Sequence, residues 1–337
     1  MTGRTSYAHV LRLSDGRGIF EHAAGSVPRV EGGYCLDDTA RALIVVCREA
    51  VQSRDLRHLA AVYFDFVLDA QAPNGACHNR LDTFGRWLDK PGVGDWWGRC
   101  MWALGTAAAR SEDAWIRATA ATRFDRGAKQ RSPDRRGMAF AALGAAEMLS
   151  VSAGHVSARA LLGDAAARIG RPAANPAWPW PEPRLAYANA AIAEALIAAG
   201  HYLDDRSVLD DGLRLLGWLL ESETYEGHLS VSPVGGRGPG DPRPAFDQQP
   251  IEVAAIADAC VRALKVTGDA HWAVGLDLAV RWFLGENDRN LPMLDGPTGA
   301  GFDALTVDGR NANQGAESTL AMIATMQQAA HLPAATR

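Results

Sequence analysis

A polar loop followed by an alanine-rich helix recurs six times along this chain of 337 residues, and this recurrence limits the possible folds more than any other feature. Each segment that follows a loop is apolar on nearly every side, which predicts a helix buried among its neighbours. The sequence has no strict repeat, so the shared element is the order of loop and helix. The six loops lie at residues 32–38, 94–97, 133–136, 178–182, 246–250 and 311–314.

A second set of helices alternates with the first and carries apolar residues on one side only. Such one-sided patterns predict an outer layer that covers the buried helices. Two concentric layers of alternating helices predict an all-α fold, an (α/α)6 toroid or barrel of helical hairpins. The predicted outer helices lie at residues 56–70, 113–124, 157–169, 207–222 and 271–284.

The predicted barrel lacks one outer helix, because five outer candidates accompany six inner ones. Residues 7–22 have the pattern of two short strands around a turn at residues 15–18, which predicts a short N-terminal β-hairpin. We expect a single barrel domain over residues 1–337, with residues 1–30 as an extension that packs on the barrel. Either this extension or a second chain, and hence a homodimer, would cover the gap.

Composition and charge exclude several classes of function. Hydrophobic residues make up 47% of the chain, and the formal net charge is −5 without a basic stripe, which argues against nucleic acid as a partner. The sequence has neither a signal-peptide core nor an apolar run of about 18 residues, so we expect no membrane insertion. The five cysteines form no CxxC pair, which is typical of reduced thiols in a cytoplasmic protein.

Sequence motifs for metals and cofactors are absent. Ligand-type residues do not occur at the spacing of zinc sites, and no P-loop, dinucleotide fingerprint or HExxH motif is present. We therefore expect no metal and no cofactor.

The barrel geometry brings the loop residues together, because the six inner helices would all begin at one mouth. Carboxylates and aromatic rings from distant parts of the chain would then line one cavity. Such a cavity suits sugars, whose apolar faces lie on aromatic rings and whose hydroxyls donate to carboxylates. The candidate catalytic residues are Asp37, Asp38, Glu252 and Glu317, and the candidate substrate-binding residues are Tyr34, Arg41, Asp95, Trp96, Trp97, Trp180, Glu182, Tyr187, Asp247, Gln248, Gln249, His22, His78 and Asn313.

Each candidate also has a purely structural interpretation. An acidic residue at a helix start often caps the helix or interacts with its dipole, and the tryptophans could belong to the core. Asp37 and Asp38 stand out because two adjacent carboxylates repel each other and only one can cap. Arg41 follows at the spacing that pairs with either of them on one helix face.

Several of these residues lie in sequence runs that resemble the motifs of a known family. The chain is similar to a bacterial module of the six-hairpin glycosidase-like superfamily, and the similarity extends from about residue 7 to residue 330. The runs that carry it are Gly18-Ile19-Phe20-Glu21-His22, Gly33-Tyr34-Cys35-Leu36-Asp37-Asp38-Thr39-Ala40-Arg41, Phe246-Asp247-Gln248-Gln249-Pro250 and Asn313-Gln314-Gly315-Ala316-Glu317.

The resemblance implies an (α/α)6 barrel and the hydrolysis of glycosidic bonds by acidic pairs, often with inversion. Related modules are often attached to glycosyltransferases, which implies such an enzyme as a possible partner. The family usually has Gln at the position of Glu21 and Asn at the position of Thr39.

We therefore expect a carbohydrate-active enzyme, most of all an inverting glycoside hydrolase acting on an oligosaccharide. Asp37 or Asp38 would act as base or nucleophile, and Glu252 or Glu317 as the general acid. A sugar epimerase or isomerase is an alternative, in which a histidine such as His22, His78 or His228 would reach the cavity. A glycan-binding module without catalysis is a further alternative. The sugar, the linkage and the anomer stay open.

Overall fold

The computed structural model describes residues 5–331 and contains twelve α-helices in this range. The predicted residues 1–4 and 332–337 of the domain lie outside the described range. The helices are α1 Ala8–Leu13, α2 Leu36–Arg48, α3 Arg54–Ala70, α4 Asp95–Arg110, α5 Ala114–Gly127, α6 Arg135–Val151, α7 Val156–Ile169, α8 Ala190–Tyr202, α9 Arg206–Ser222, α10 Pro250–Thr267, α11 His271–Leu284 and α12 Ala316–His331.

The even-numbered helices from α2 to α12 form a closed ring. Each contacts the next in chain order, and α12 returns to contact α2. The odd-numbered helices from α3 to α11 each pack outside the inner helix that precedes them. The inner helices are buried on nearly all sides, as the eleven consecutive buried residues that open α8 illustrate. The predicted (α/α)6 barrel is therefore confirmed.

The N-terminal segment differs from its prediction in one element. Residues 8–13 form helix α1, which packs on α12 at the place of the missing outer helix, rather than a strand. His9, Val10 and Leu13 recur at helical spacing and are buried, so burial against α12 determines the conformation of these few residues. The predicted turn is present, since Asp15 accepts hydrogen bonds from the amides of Arg17 and Gly18.

Short antiparallel strand pairs occupy the loops, most of them in loops that lead into inner helices. One lies in the N-terminal extension, which thus contains a hairpin at residues 23–28. The pairs are β1 Ala23–Ala24 with β2 Val27–Pro28, β3 Tyr34–Cys35 with β4 Arg80–Leu81, β5 Thr224–Tyr225 with β6 His228–Leu229, β7 Leu294–Asp295 with β8 Ala300–Gly301, and β9 Ala304–Thr306 with β10 Gly309–Asn311.

The fourth inner helix, α8, begins later than the sequence predicts. The expected helix follows the loop at residues 178–182 directly, whereas α8 starts at Ala190. The side chain of Asn189 accepts a hydrogen bond from the amide of Ala186, and Ala188 has a positive φ of 46°. The chain therefore makes a tight turn before it can enter the ring.

The interior of the ring has a polar layer at each end and an apolar layer between them. In the middle layer, Arg48 lies 5.4 Å from the ring centre of Trp102, and Arg99 lies 3.9 Å from that of Phe140. This layer leaves a void of only about 50 Å³. The cavities at the two ends of the ring share no lining residue.

At the end where the inner helices finish, ion pairs connect the inner helices. A cavity of about 450 Å³ lies here, lined by residues from all six inner helices. Each carboxylate in it has its own guanidinium partner. The pairs are Arg48 with Asp258 at 3.0 Å, Arg110 with Glu147 at 2.8 Å, and Arg262 with Glu194 at 2.7 Å.

Glycines allow the backbones of α4 and α6 to touch. A Cβ atom at Gly105 would lie well inside van der Waals distance of the carbonyl oxygen of Gly144, and a Cβ at Gly98 would clash with that of Gly137 in the same way. Because the obstacle is backbone, neither helix can yield by a side-chain rotation. By contrast, the nearest atom to a Cβ at Gly163, on the outer helix α7, would be 3.8 Å away.

We predict that Gly105→Ala lowers the free energy of unfolding by about 1–3 kcal/mol, because the added methyl group overpacks the seam between α4 and α6. The matched variant Gly163→Ala should raise it by about 0.5–1 kcal/mol, because alanine has the higher helix propensity and the site has room. Urea denaturation followed by circular dichroism measures both. Equal effects of the two variants would contradict the close packing of these helices.

Candidate active site

A cavity of about 330 Å³ lies at the end of the ring where the inner helices begin. It is bounded by the first turns of α2 and α12, the loop before α10 and the β9–β10 hairpin. Residues that are far apart in the sequence meet here, as the sequence analysis expects. Six of the lining residues are carboxylates, namely Glu21, Asp37, Asp38, Asp247, Asp303 and Glu317, and Arg41 is the arginine among them.

Three carboxylates share the guanidinium of Arg41, and we name Asp37, Asp38 and Glu317 the acid cluster. Arg41 Nη1 lies 2.5 Å from Asp38 Oδ1, and Nη2 lies 2.8 Å from Asp37 Oδ2 and 2.7 Å from Glu317 Oε2. Asp37 and Asp38 reach Arg41 along one helix at the i,i+4 and i,i+3 spacings, whereas Glu317 reaches it from α12. The cluster therefore joins the first and last inner helices of the ring.

Two further arginines stand behind the cavity wall. Arg99 is 2% exposed and its Nε lies 3.0 Å from Asp37 Oδ1. Arg80 forms an ion pair with Glu21, whose other oxygen lies 3.7 Å from the ring of His22. These pairs fix Asp37 and Glu21 in place and offset part of the negative charge of the wall.

Asp38 is the most enclosed member of the acid cluster. Burial raises its pKa to about 6, and the charges of Asp37 and Glu317 act in the same direction, while Arg41 opposes them. The thiol of Cys35 lies 3.3 Å from Asp38 Oδ2, to which it donates, and burial keeps the pKa of that thiol well above its usual value. Asp38 can therefore hold a proton up to about pH 6.

The remaining carboxylates of the cavity differ in how they are held. Asp303 Oδ1 accepts hydrogen bonds from the amide of Gly315, at 2.7 Å, and from the hydroxyl of Ser318. Asp247 is exposed, and its side chain makes no hydrogen bond or ion pair within residues 5–331. Asp303 is not among the predicted site residues, because nothing in its local sequence marks a loop residue that tertiary packing brings to the mouth.

Glu252 lies close to the mouth but faces helix α8. Its carboxylate accepts hydrogen bonds from the amides of Ala188 and Asn189 and, at 2.9 Å, from the side chain of Asn189. Burial, followed by the charge of Glu223, raises its pKa to about 7. The three donors satisfy this carboxylate at the start of α8, and it does not line the cavity.

Other predicted polar residues form a neighbouring cluster on the rim. The hydroxyl of Tyr187 donates to Asp95, and Arg136 binds both oxygens of Glu182, at 2.8 and 3.0 Å. Arg136 also donates to the backbone carbonyl of Tyr187. Asp95, Glu182 and Tyr187 thus connect α4, α6 and the turn before α8, and they do not line the cavity.

The prediction that aromatic rings line the cavity is wrong. Trp97 is fully buried and Trp180 is 1% exposed, stacked on Trp218, so neither indole face is open to a sugar. Tyr34 is 3% exposed and donates to Asp15, and Trp96 donates to the carbonyl of Cys77. The cause is tertiary packing, which buries these large aromatic rings in the core.

Of five other predicted binding residues, three are held by contacts outside the cavity and two line it. His78 contacts the carbonyl of Asp89 and stacks on Trp87, and Gln248 is fully buried and donates to Asp288. Asn313 accepts from the amide of Gly25. Gln249 lines the cavity, as does His22, whose side chain is 62% exposed.

The ligand atoms of the acid cluster lie within 4.8 Å of one another, as do those of Glu21, Cys35 and Asp38. Ligand atoms at these distances can hold a metal ion. The positions of these residues along the sequence do not reveal this arrangement. In the acid cluster, Arg41 already supplies the positive charge. Among the described residues, no helix is long and apolar enough to cross a membrane.

Comparisons with known proteins identify the architecture. A scan against models of protein families finds no match, and neither does a search of curated proteins. The fold is similar to that of a sugar epimerase from a ruminal bacterium, with 11% identity, a TM-score of 0.71 and coverage of 97% of this chain and 96% of that one.

Two other solved structures are similar over most of their length. Cellobiose 2-epimerase from Spirochaeta thermophila has 13% identity and a TM-score of 0.68, over 94% of this chain and 92% of that one. The cellulase Cel9M of C. cellulolyticum has 10% identity and a TM-score of 0.61, over 93% and 87%. The comparisons therefore show the fold, an (α/α)6 barrel, over nearly the whole chain.

Proposed function

We propose that this chain is a carbohydrate-active enzyme that hydrolyses glycosidic bonds in the cavity at the mouth of the barrel. The observation that carries the proposal is the acid cluster, in which three carboxylates share Arg41 on the wall of that cavity. Glycoside hydrolysis needs a proton donor and a second carboxylate beside the scissile bond. The similarity to a cellulase and to enzymes that act on sugars supports the same substrate class.

We assign the proton to Asp38. Carboxylates this close cannot all ionise without a large repulsion, and the most buried of them keeps its proton most readily. Glu317 is 36% exposed, and Arg41 holds one of its oxygens, so it is the cluster's most accessible carboxylate. Asp38 would protonate the glycosidic oxygen while Glu317 attacks the anomeric carbon.

The second half of the reaction returns both groups to their starting states. The alcohol leaves with the proton of Asp38, and Glu317 holds the sugar as an ester. Asp38, now ionised, takes a proton from water, and the resulting hydroxide cleaves the ester. Because a retaining pair stands about 5–5.5 Å apart, the close spacing within the acid cluster favours retention over the inversion that the sequence analysis favours.

We predict that Asp38→Asn and Glu317→Gln each lower kcat at least about 100-fold, because each removes one member of the pair. The matched control is Asp258→Asn, which changes an equally buried carboxylate paired with an arginine at the opposite end of the ring. That control should lose stability but retain most of its turnover. Release of reducing sugar from a panel of oligosaccharides measures all three, and full activity of Asp38→Asn would eliminate the assignment.

We predict that kcat/KM falls as the pH rises through about 6, because Asp38 must be protonated and burial raises its pKa to that value. Below this pH, Asp38 retains its proton, so its titration causes no further change in kcat/KM. A pH–rate profile on one hydrolysed substrate measures the effect. A rate that stays constant from pH 5 to 8, on the order of three pH units across this pKa, would contradict a proton donor at this position.

The anomeric configuration of the first product distinguishes the two stereochemical courses. We predict retention, read by NMR before the product mutarotates. Inversion would contradict the pairing of Asp38 with Glu317. The second carboxylate of the catalytic pair would then be one outside the acid cluster that lines the same cavity, Asp247 or Asp303.

A sugar epimerase is the second candidate, because His22 lines the cavity and two of the similar structures are epimerases. The other histidines considered face away from it, since His78 stacks on Trp87 and His228 pairs with Asp288. The same NMR spectra decide between the reactions. A new epimer without cleavage, lost in His22→Ala, would replace the hydrolase proposal, and binding without any product would indicate a glycan-binding module.

A further inference from the structure

The mouth cavity carries a strong excess of negative charge. Six carboxylates line it, whereas Arg41 is the arginine that lines it among the described residues. Arg80 and Arg99 stand behind it and pair with Glu21 and Asp37. Even with these three guanidinium groups counted, the carboxylates outnumber the arginines by three when all are ionised.

The positive groups of the wall are already engaged. Arg41 binds three carboxylates, and its guanidinium is 8% exposed. Arg99 is 2% exposed and lies against the ring of Phe140. Arg41 cannot turn toward a ligand without losing its ion pair with the buried Asp38, which is costly.

Asp247 is the carboxylate with the fewest contacts. It is exposed at the cavity wall, and its side chain has no hydrogen-bond or ion-pair partner in residues 5–331. By comparison, amide and hydroxyl donors hold Asp303 on the same wall. Asp247 is therefore free to bind a positively charged group on a ligand.

We infer that this cavity selects sugars by charge: it takes an amino sugar, protonated at its nitrogen, in preference to the neutral sugar, and it rejects uronic acids and sugar phosphates. The inference rests on the proposed function insofar as that places a sugar in this cavity. An ammonium group gains attraction from every carboxylate on the wall, whereas a carboxylate or phosphate on the sugar meets like charges, and the guanidinium of Arg41 is already bound to three carboxylates.

The test is a binding measurement that does not depend on turnover. Isothermal titration at about pH 6, where a sugar amine is protonated, compares D-glucosamine, D-glucose and D-glucuronate as probes. EDTA is present so that no divalent cation occupies the acid cluster. We expect the affinity to fall in that order and the differences to shrink at about 1 M salt, where charges are screened within a few ångströms.

A pair of variants locates the effect. Asp247→Asn should reduce the advantage of glucosamine over glucose by about fivefold, the size of a partly exposed ion pair. Asp308→Asn removes the same charge from the turn between β9 and β10, outside the cavity lining, and should change neither affinity. Glucuronate binding as tight as glucosamine, or an unchanged ratio in Asp247→Asn, would overturn the inference.

The two proposals can fail separately. If no glycoside of any class is hydrolysed but the order of affinities holds, the catalytic assignment fails and the charge selection stands. If hydrolysis occurs and glycosides of uronic acids react as fast as those of amino sugars, the charge selection fails and the catalytic assignment stands.

Discussion

The guanidinium of Arg41 is the group on which both the site and the closure of the ring depend. It projects from the first inner helix, binds two carboxylates of that helix, and reaches Glu317 on the last inner helix, almost the whole chain away. A buried arginine with three acceptors is stable where three unpaired carboxylates would not be. The same interaction closes the ring on itself and concentrates negative charge at its mouth.

The barrel separates this charge from the rest of its interior. An apolar layer with Trp102 and Phe140 divides the mouth from the opposite end, where arginines and carboxylates of different inner helices are matched one to one. Matched pairs connect helices, whereas an excess of carboxylates creates groups that hold protons or bind cations. The difference in charge balance between the two ends is therefore the physical basis for placing the chemistry at the mouth.

Much of the fold and about half of the candidate site can be predicted from the sequence. Periodicity predicts the ring, and the spacing of Asp37, Asp38 and Arg41 predicts their pairing, because both depend on local helix geometry. Tertiary contacts decide the rest. Glu252 and Glu317 both lie in the first turn of an inner helix, yet Glu252 turns to the backbone amides before α8. Trp97 and Trp180 follow polar loops in the sequence, but only packing determines that their rings face the core.

The most direct measurement is a crystal structure of the Glu317→Gln variant with a bound oligosaccharide. Our account predicts that the sugar lies in the mouth cavity, with a glycosidic oxygen within about 3.2 Å of the Asp38 carboxyl group. A sugar bound at the opposite end of the ring, or on the outer surface with the mouth empty, would contradict it.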